Sequence, residues 1–395
     1  MTLEKPSMDT SSLTARLVEI AESVRLREGA EGIAKALWAL AGGSARSTHE
    51  WSRILSIPVP VLAALRRELE KRDILQPGSG LHLTEAGKRF LDSLFGLKES
   101  PDALCPTCRG KGRILPPQAL PLLDEFAAIC ASRPTVDVTK DQSHATPETG
   151  IRKALLLLEK GLLGKSILFL GDDDFISVAC LLARKRFLSD SAGGGKLTVL
   201  DIDRRYLDRI TEISQGEIVV REYDVRNEFS FPEPEPFLVA LTDPPYTVNA
   251  ITTFAYRCRR AMQAGGTLFL SMPLPDTETL GEIERNLIGM GWSLREIYPQ
   301  WNEYIGASIH AHHSSLFVCE KLLREPPENS FQLRYTPFYT ADLRKPGAAY
   351  QCTLCETVVA VGPGQEFETI QELKQAGCAE CGNTHFRRQG KTDAD

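Results

Sequence analysis

The sequence predicts an α/β protein: an open, Rossmann-like sheet with helices on both faces, preceded by a winged-helix domain and followed by a small zinc-ribbon-like module. Three observations predict it. From Ile151 onward, short apolar runs alternate with segments of helical period, the pattern of a mostly parallel sheet. Ahead of that region, helical stretches and a turn rich in Gly and Pro follow one another in winged helix-turn-helix order. Behind it, two Cys-x-x-Cys pairs stand twenty-two residues apart, a zinc-ribbon spacing.

In chain order, Leu13, Leu17, Ile20, Ala21 and Val24 give Ser11 to Arg27 an amphipathic helical spacing. Helices follow at Gly32 to Leu40, Thr48 to Ser56 and Pro58 to Arg72, the last with Pro58 in its first turn and a Leu62, Leu65, Leu69 stripe. Ile74 to Leu83 reads as two short strand-like pieces around a turn, and Thr84 to Leu97 as a helix, so residues 11–97 form the first domain. Residues 98–150 are a proline-rich connector holding the lone pair Cys105 and Cys108 and a helix near Leu120 to Ala131.

The sheet domain spans 151–325. Its strands are expected at Lys165 to Gly171, Lys196 to Asp201, Glu217 to Tyr223, Phe237 to Thr242, Thr267 to Ser271, Ser293 to Tyr298 and Ser315 to Leu322. Its helices are expected at Ile151 to Leu163, Phe175 to Phe187, Arg205 to Ser214, Thr252 to Gln263 and Thr277 to Met290. Residues 326–350, aromatic but aperiodic, read as a linker or lid. The cysteine module takes 351–387, and the last residues from Arg388 read as disordered.

The 395 residues are 42% apolar and 25% charged, a globular composition that excludes a fibrous or wholly disordered chain. No apolar run is long enough to cross a membrane and no secretory leader pattern opens the chain, so a cytoplasmic location is expected. The formal charge of −6 offers no general attraction to phosphate polyanions; a cationic ligand suits the chain better. Residues 1–95 carry thirteen Lys and Arg against twelve Asp and Glu, which argues for a structural or dimerising winged helix over a DNA reader. A homodimer is expected.

Chemistry gathers where the strands end. Asp172, Asp173 and Asp174 follow the first strand, Asp201 and Asp203 the second, Asp224 the third and Asp243 the fourth, all on one crevice. Asp201 is placed to accept from ribose hydroxyls and Asp224 to reach an adenine amino group. A Gly-x-Gly-x-x-Gly turn would cradle an anion, but Gly171 is followed by three carboxylates that repel phosphate and carboxylate alike. An aminopropyl sulfonium, which lacks the carboxylate of S-adenosylmethionine, would instead be attracted. One of the three aspartates is expected to cap the next helix. Clustered carboxylates raise one another's pKa, so another can accept a proton from an ammonium near neutral pH. Asp243-Pro-Pro-Tyr246 is a rigid turn of the kind used where an amine nitrogen attacks a sulfonium carbon.

Gly171-Asp-Asp-Asp174 with Asp243-Pro-Pro-Tyr246, behind a winged-helix segment, resembles the branched-chain polyamine synthases, the N(4)-bis(aminopropyl)spermidine synthases of thermophiles. The resemblance runs from about Leu13 to Leu343 and includes Asp141-Gln142 and Thr149 to Arg152. It implies a methyltransferase-type sheet and transfer of aminopropyl groups from decarboxylated S-adenosylmethionine to the central secondary nitrogen of spermidine, releasing methylthioadenosine. It implies Asp174 as the base, Asp243 holding the amine and Tyr246 shaping its pocket. Asp172 and Asp173 would hold terminal ammonium groups, while Gly171, Asp172, Gln142, Asp201 and Asp224 would face the donor. The segment Tyr298 to Tyr304, with Trp301, Asn302 and Glu303, is a further candidate for the amine pocket.

Cys352, Cys355, Cys378 and Cys381 are expected to bind a structural zinc, closed by four thiolates and so without a catalytic position. Cys105 and Cys108 supply half a site: a metal shared between protomers, one completed by Cys130 or His144, and a metal-free turn all remain open. His310, His312 and His313 read as surface or strand-end residues. Two other functions compete with the synthase: an S-adenosylmethionine-dependent amino methyltransferase on nucleic acid, and a polyamine-sensing regulator. The acidic turn and negative charge weigh against the first.

Overall fold

The computed structural model describes residues 10–96 (bar 44, 46 and 79), 113–228 (bar 190–193), 237–361 (bar 307–311, 325–332, 336 and 341–347) and 367–389 (bar 368 and 369). Cys105, Cys108, His310 and much of the 326–350 segment lie outside the described residues.

Side-chain caps set many of the helix starts. The first five helices are α1 (Thr10–Val24), α2 (Gly29–Ala41), α3 (Thr48–Leu55), α4 (Val59–Lys71) and α5 (Glu85–Phe95). Ser47 and Thr84 accept from Glu50 N and Gly87 N to begin α3 and α5. Their apolar stripes converge on a core around Trp51, whose indole donates to Ala36 O at 2.9 Å. Between α4 and α5 the sequence suggests two strands. The structure has a single antiparallel bridge, Leu75 with Leu83, because Pro77, Gly78 and Gly80 leave too few ladder positions. Arg27 pairs with Asp276 at 2.9 Å and Gln300 donates to Arg53 O at 2.7 Å, fastening this unit to the sheet.

The rest of the chain runs α6 (Leu120–Cys130), α7 (Pro147–Glu159), β1 (Ile167–Leu170), α8 (Ile176–Phe187), β2 (Leu197–Asp201), α9 (Arg204–Ser214), β3 (Ile218–Glu222), β4 (Phe237–Thr242), α10 (Val248–Ala261), β5 (Met262–Met272), α11 (Thr277–Gly289), β6 (Trp292–Glu303) and β7 (His313–Lys321). The seven strands form one sheet in the order β3-β2-β1-β4-β5-β7-β6. Strands β1 to β5 are parallel, and β7 runs antiparallel to both of its neighbours, β5 and β6. Alternation splits each strand between two cores. Ile167 and Phe169 face one layer with α6 to α9, while Leu168 and Leu170 face α10 and α11.

Helix α2 starts at Gly29, three residues before the expected Gly32, and two further helices start four residues earlier than their apolar period suggests. Helix α7 begins at Pro147, not Ile151, because Thr146 accepts from Thr149 N at 3.3 Å and proline suits the first turn. Helix α10 begins at Val248 rather than Thr252, capped by Thr247. A separate three-stranded sheet of β8 (Ala348–Cys352), β9 (Val358–Val361) and β10 (Phe386–Arg388) carries the four cysteines, with helix α12 (Ile370–Ala376) between the pairs. Arg388 therefore belongs to a strand. Among the described residues no helix is long and apolar enough to cross a membrane.

Candidate active site

A crevice of about 630 Å³ opens at the carboxyl ends of β1 to β4, where parallel sheets of this kind bind ligands. Gly171, at φ 77, lets the chain turn sharply off β1. Of the residues singled out in the sequence, Gln142, Gly171, Asp173, Asp201, Asp224 and Asp243 line the crevice, whereas Asp172, Asp174 and Tyr246 do not. Lys140, Asp141, Tyr223, Phe254, Phe338 and Tyr339 complete much of its wall.

The three aspartates after Gly171 have separate tasks. Asp172 accepts from Ile176 N at 2.7 Å and Ser177 N at 3.1 Å, so it is the cap of α8. This corrects the reading of Asp172 as a ligand contact: its carboxylate points into the helix, away from the crevice wall. Burial nonetheless pushes it up to about 8, against the pull of the cap bonds. Asp173 reaches the crevice and accepts from Ser143 N at 3.3 Å. Asp174 lies one layer behind, taking Ala145 N as a donor, with Arg133 4.0 Å away. Phe175, fully buried, closes the turn in the left-handed region at φ 59, a conformation bulky residues rarely hold outside functional turns.

Burial raises the carboxyl pKa across this cluster. Asp173 is driven well above the ordinary value by burial and then by Asp174, Asp201 and Asp243. Asp174 is raised by burial and pulled back by Lys153, the Ala145 amide and Arg133. Asp243 is pushed up to about 6 by burial, with Lys153 opposing. The site without ligand is thus an acid cluster in which burial and mutual repulsion raise the cost of ionisation, a cost that a bound polycation would offset.

Asp201 accepts from Asp172 N at 2.9 Å and Asp203 N at 2.7 Å, fixing its carboxylate at the end of β2 with lone pairs to spare. Asp203 is itself held by Arg205 and Gln142, the latter at 3.1 Å, so Gln142 is oriented by β2. Asp224 forms a fork with Arg226, which lowers its pKa and occupies part of its acceptor capacity.

Tyr246 donates to Asp243 Oδ1 at 3.1 Å, and Tyr304 donates to Asp243 Oδ2. Tyr304 also meets Ser314 Oγ at 2.8 Å. Glu303 does not line the crevice: its amide takes Thr149 Oγ1 and its carbonyl takes Thr146 N at 2.7 Å, tying β6 to α7. The sequence reading reached Tyr304 only as the end of the Tyr298 to Tyr304 segment; it singled out Glu303 and missed the role of the tyrosine. Adjacent strand residues face opposite ways, and a bulge between Tyr298 and Asn302 shifts that alternation by an amount no periodicity reveals. Lys153, buried on α7 and donating to Ser271 Oγ at 3.1 Å, was also missed, hidden in a helical apolar run.

A strap of chain roofs the crevice. Thr247 Oγ1 donates to Phe338 O at 2.7 Å, Asn249 donates to Pro337 O at 2.9 Å, and Thr340 N donates to Asp141 Oδ2 at 2.6 Å. Elsewhere, the His312 ring stacks on His49 with centroids 6.0 Å apart. The Sγ atoms of Cys352, Cys355, Cys378 and Cys381 all lie within 4.8 Å of one another.

The family model for the branched-chain polyamine synthase A C-terminal domain matches residues 121–336. An uncharacterized protein of Methanocaldococcus jannaschii is 30% identical over 94% of this chain and 92% of its own. The N(4)-bis(aminopropyl)spermidine synthase of the same organism is 29% identical over 66% of this chain and 75% of its own. The branched-chain polyamine synthase of Thermus thermophilus, solved with N4-aminopropylspermidine and 5'-methylthioadenosine, superposes with a TM-score of 0.65 at 21% identity, covering 83% of this chain and 97% of that one. It shares the fold. With more than half its length matched by the family model, on a sheet of the same architecture, the chain belongs to the branched-chain polyamine synthase family.

Proposed function

We infer that the protein is an aminopropyltransferase that moves aminopropyl groups from decarboxylated S-adenosylmethionine to the central secondary amine of spermidine, giving N(4)-aminopropylspermidine and N(4)-bis(aminopropyl)spermidine. The observation that carries this is the set of buried and half-buried carboxylates at the strand ends, an acid-lined crevice beside Asp243-Pro-Pro-Tyr246. It suits two cationic reactants and repels the carboxylate that would distinguish intact S-adenosylmethionine.

The donor's nucleoside would lie along Gly171, Gln142, Asp201 and Asp224 under Phe338 and Tyr339, with Asp201 accepting from ribose hydroxyls. Asp173 would draw a terminal ammonium. Asp243, on the crevice wall, would hold the central nitrogen, and Asp174, directly behind that wall, would take its proton; the freed lone pair then attacks the carbon bonded to sulfur. The C–S bond breaks with its electrons going to sulfur, so the sulfonium leaves as neutral methylthioadenosine. The two tyrosine hydroxyls fix the Asp243 carboxylate for that task, and positioning supplies much of the acceleration.

The finer features of the architecture are part of this reading. The order of α1 to α5 with the Leu75–Leu83 bridge supports a winged helix. Its would-be recognition helix spends Arg66, Lys71 and Arg72 on Glu70 and Glu68, which favours a structural role over phosphate binding. The cysteine cluster supports a zinc ribbon: a tetrahedron with Zn–S bonds of about 2.3 Å needs Sγ atoms roughly 3.8 Å apart. Cys352 and Cys381 are 3.5 Å apart, and Cys355 and Cys378 3.4 Å. Bound there, the metal would staple the module shut and leave no open coordination position. Reduced, buried Cys130, Cys180, Cys258 and Cys319 fit a cytoplasmic location.

Mass spectrometry of spermidine incubated with either sulfonium donor tests the function. A gain of one or two aminopropyl units with the decarboxylated donor alone is expected; a methyl gain, or no product, would overturn it.

A further inference from the structure

Lys153 is a buried cation inside a site built to receive cations. Only 4% of it is exposed, and it projects from α7 to donate to Ser271 at the end of β5. Buried lysines ordinarily close an ion pair, since an isolated ammonium is costly to desolvate. This one does not. Among the described residues no carboxylate oxygen lies within 4.0 Å of it, and its single hydrogen-bond partner is a hydroxyl.

Its anchor places that charge beside the strand ends that carry both acids: Ser271 follows Leu270, which pairs with Thr242 just before Asp243, and Thr242 pairs in turn with Leu170 at the start of the Gly171 to Asp174 turn. The charge draws Asp174, on the turn after β1, and Asp243, at the end of β4, toward their ionised forms, and it also faces the Cys180 thiol on α8. Around Asp174 stand Arg133 and Asp173; around Asp243 stand Tyr246 and Tyr304. Of the cations in this set, Lys153 acts on both acids at once.

We propose that Lys153 is a positioning residue for aminopropyl transfer: held by Ser271 at the end of β5, its ammonium is a fixed positive charge that disfavours the protonated form of the acceptor nitrogen between Asp174 and Asp243. A fixed positive charge weakens polycation binding, which is the cost of the arrangement. In return the nitrogen enters the attack as a free amine, because a neighbouring cation makes an ammonium give up its proton more readily. The inference rests on the transfer function proposed above.

Two readouts separate its failure from failure of that function. In the first, pH profiles of kcat/KM are compared for wild type, Lys153→Met and Lys153→Arg. The methionine variant is expected to lose ten- to hundredfold in kcat near neutrality, with its acid limb moved up by about one pH unit, an unchanged or lower KM for spermidine, and near-complete recovery in the arginine variant. In the second, the infrared band of protonated carboxyl groups is titrated in the ligand-free proteins, which requires no turnover. The band should persist to higher pH in Lys153→Met. If Lys153→Met does not fold, Ser271→Ala, which releases the ammonium from its anchor, should move both readouts in the same direction by a smaller amount. An acid limb and carboxyl band unchanged in whichever variant folds overturns the proposal. A wild type that transfers no aminopropyl group overturns the function while leaving the infrared titration to decide the role of Lys153.

Discussion

Asp174 and Asp243 differ in how their carboxylates are held, and the difference sets what each substitution should do. Asp174 has one oxygen on the Ala145 amide and stands behind the crevice wall, so Asp174→Asn keeps the shape of the donor pocket. That variant should lose transfer by 10²- to 10⁴-fold while binding methylthioadenosine as wild type does, measured by turnover and calorimetry. Asp243, pushed up to about 6 from 3.8, keeps in the folded chain a proton that the unfolded chain gives up. Its linked stability is full below pH 3.8 and is lost as the pH rises through about 6. Thermal melts without ligand should therefore show wild type losing ground to Asp243→Asn across that window, by on the order of 3 kcal/mol. Parallel curves would refute the coupling.

The elements were largely legible because parallel strands advertise themselves as apolar runs ending in acids, and β1 to β4 end where Asp172, Asp201, Asp224 and Asp243 suggested. What escaped depends on contacts far apart in sequence. Only the fold shows which member of Asp172-Asp173-Asp174 caps α8 and which faces the crevice, and only the bulge in β6 turns Tyr304 rather than Glu303 toward Asp243. The aromatic segment near Phe338 was visible as a candidate lid, but not its latch, since Asp141 lies 199 residues from Thr340. Asp141 sits at φ 57, which aims its carboxylate at the strap. Asp141→Ala removes charge-assisted bonds of about 1.5–3 kcal/mol, so methylthioadenosine affinity should fall roughly ten- to hundredfold. Calorimetry showing undiminished affinity would mean the strap holds without this latch.

For the molecule as a whole, two cores share the seven-stranded sheet, a third lies within α1 to α5, and the cysteine module adds a small further body with little apolar interior among its described residues. Such a body needs a staple. One zinc per chain is expected by elemental analysis, and Cys378→Ser should lower that content and bring forward unfolding of the module; full zinc content in the variant would exclude Cys378 as a ligand. The direction of β7 carries a further consequence. Running against β5, it delivers the chain to Lys321 at the rim opposite the crevice, where the lysine donates to Arg259 O and Met262 O. Phe338 nevertheless lines the crevice, at the other end of the sheet and a strand length of about 30 Å away. The roof is thus tethered through the backbone to the far edge of the sheet. Severing that tether would turn an intramolecular closure into a bimolecular one, and turnover would then fall on dilution even with every residue of the crevice intact.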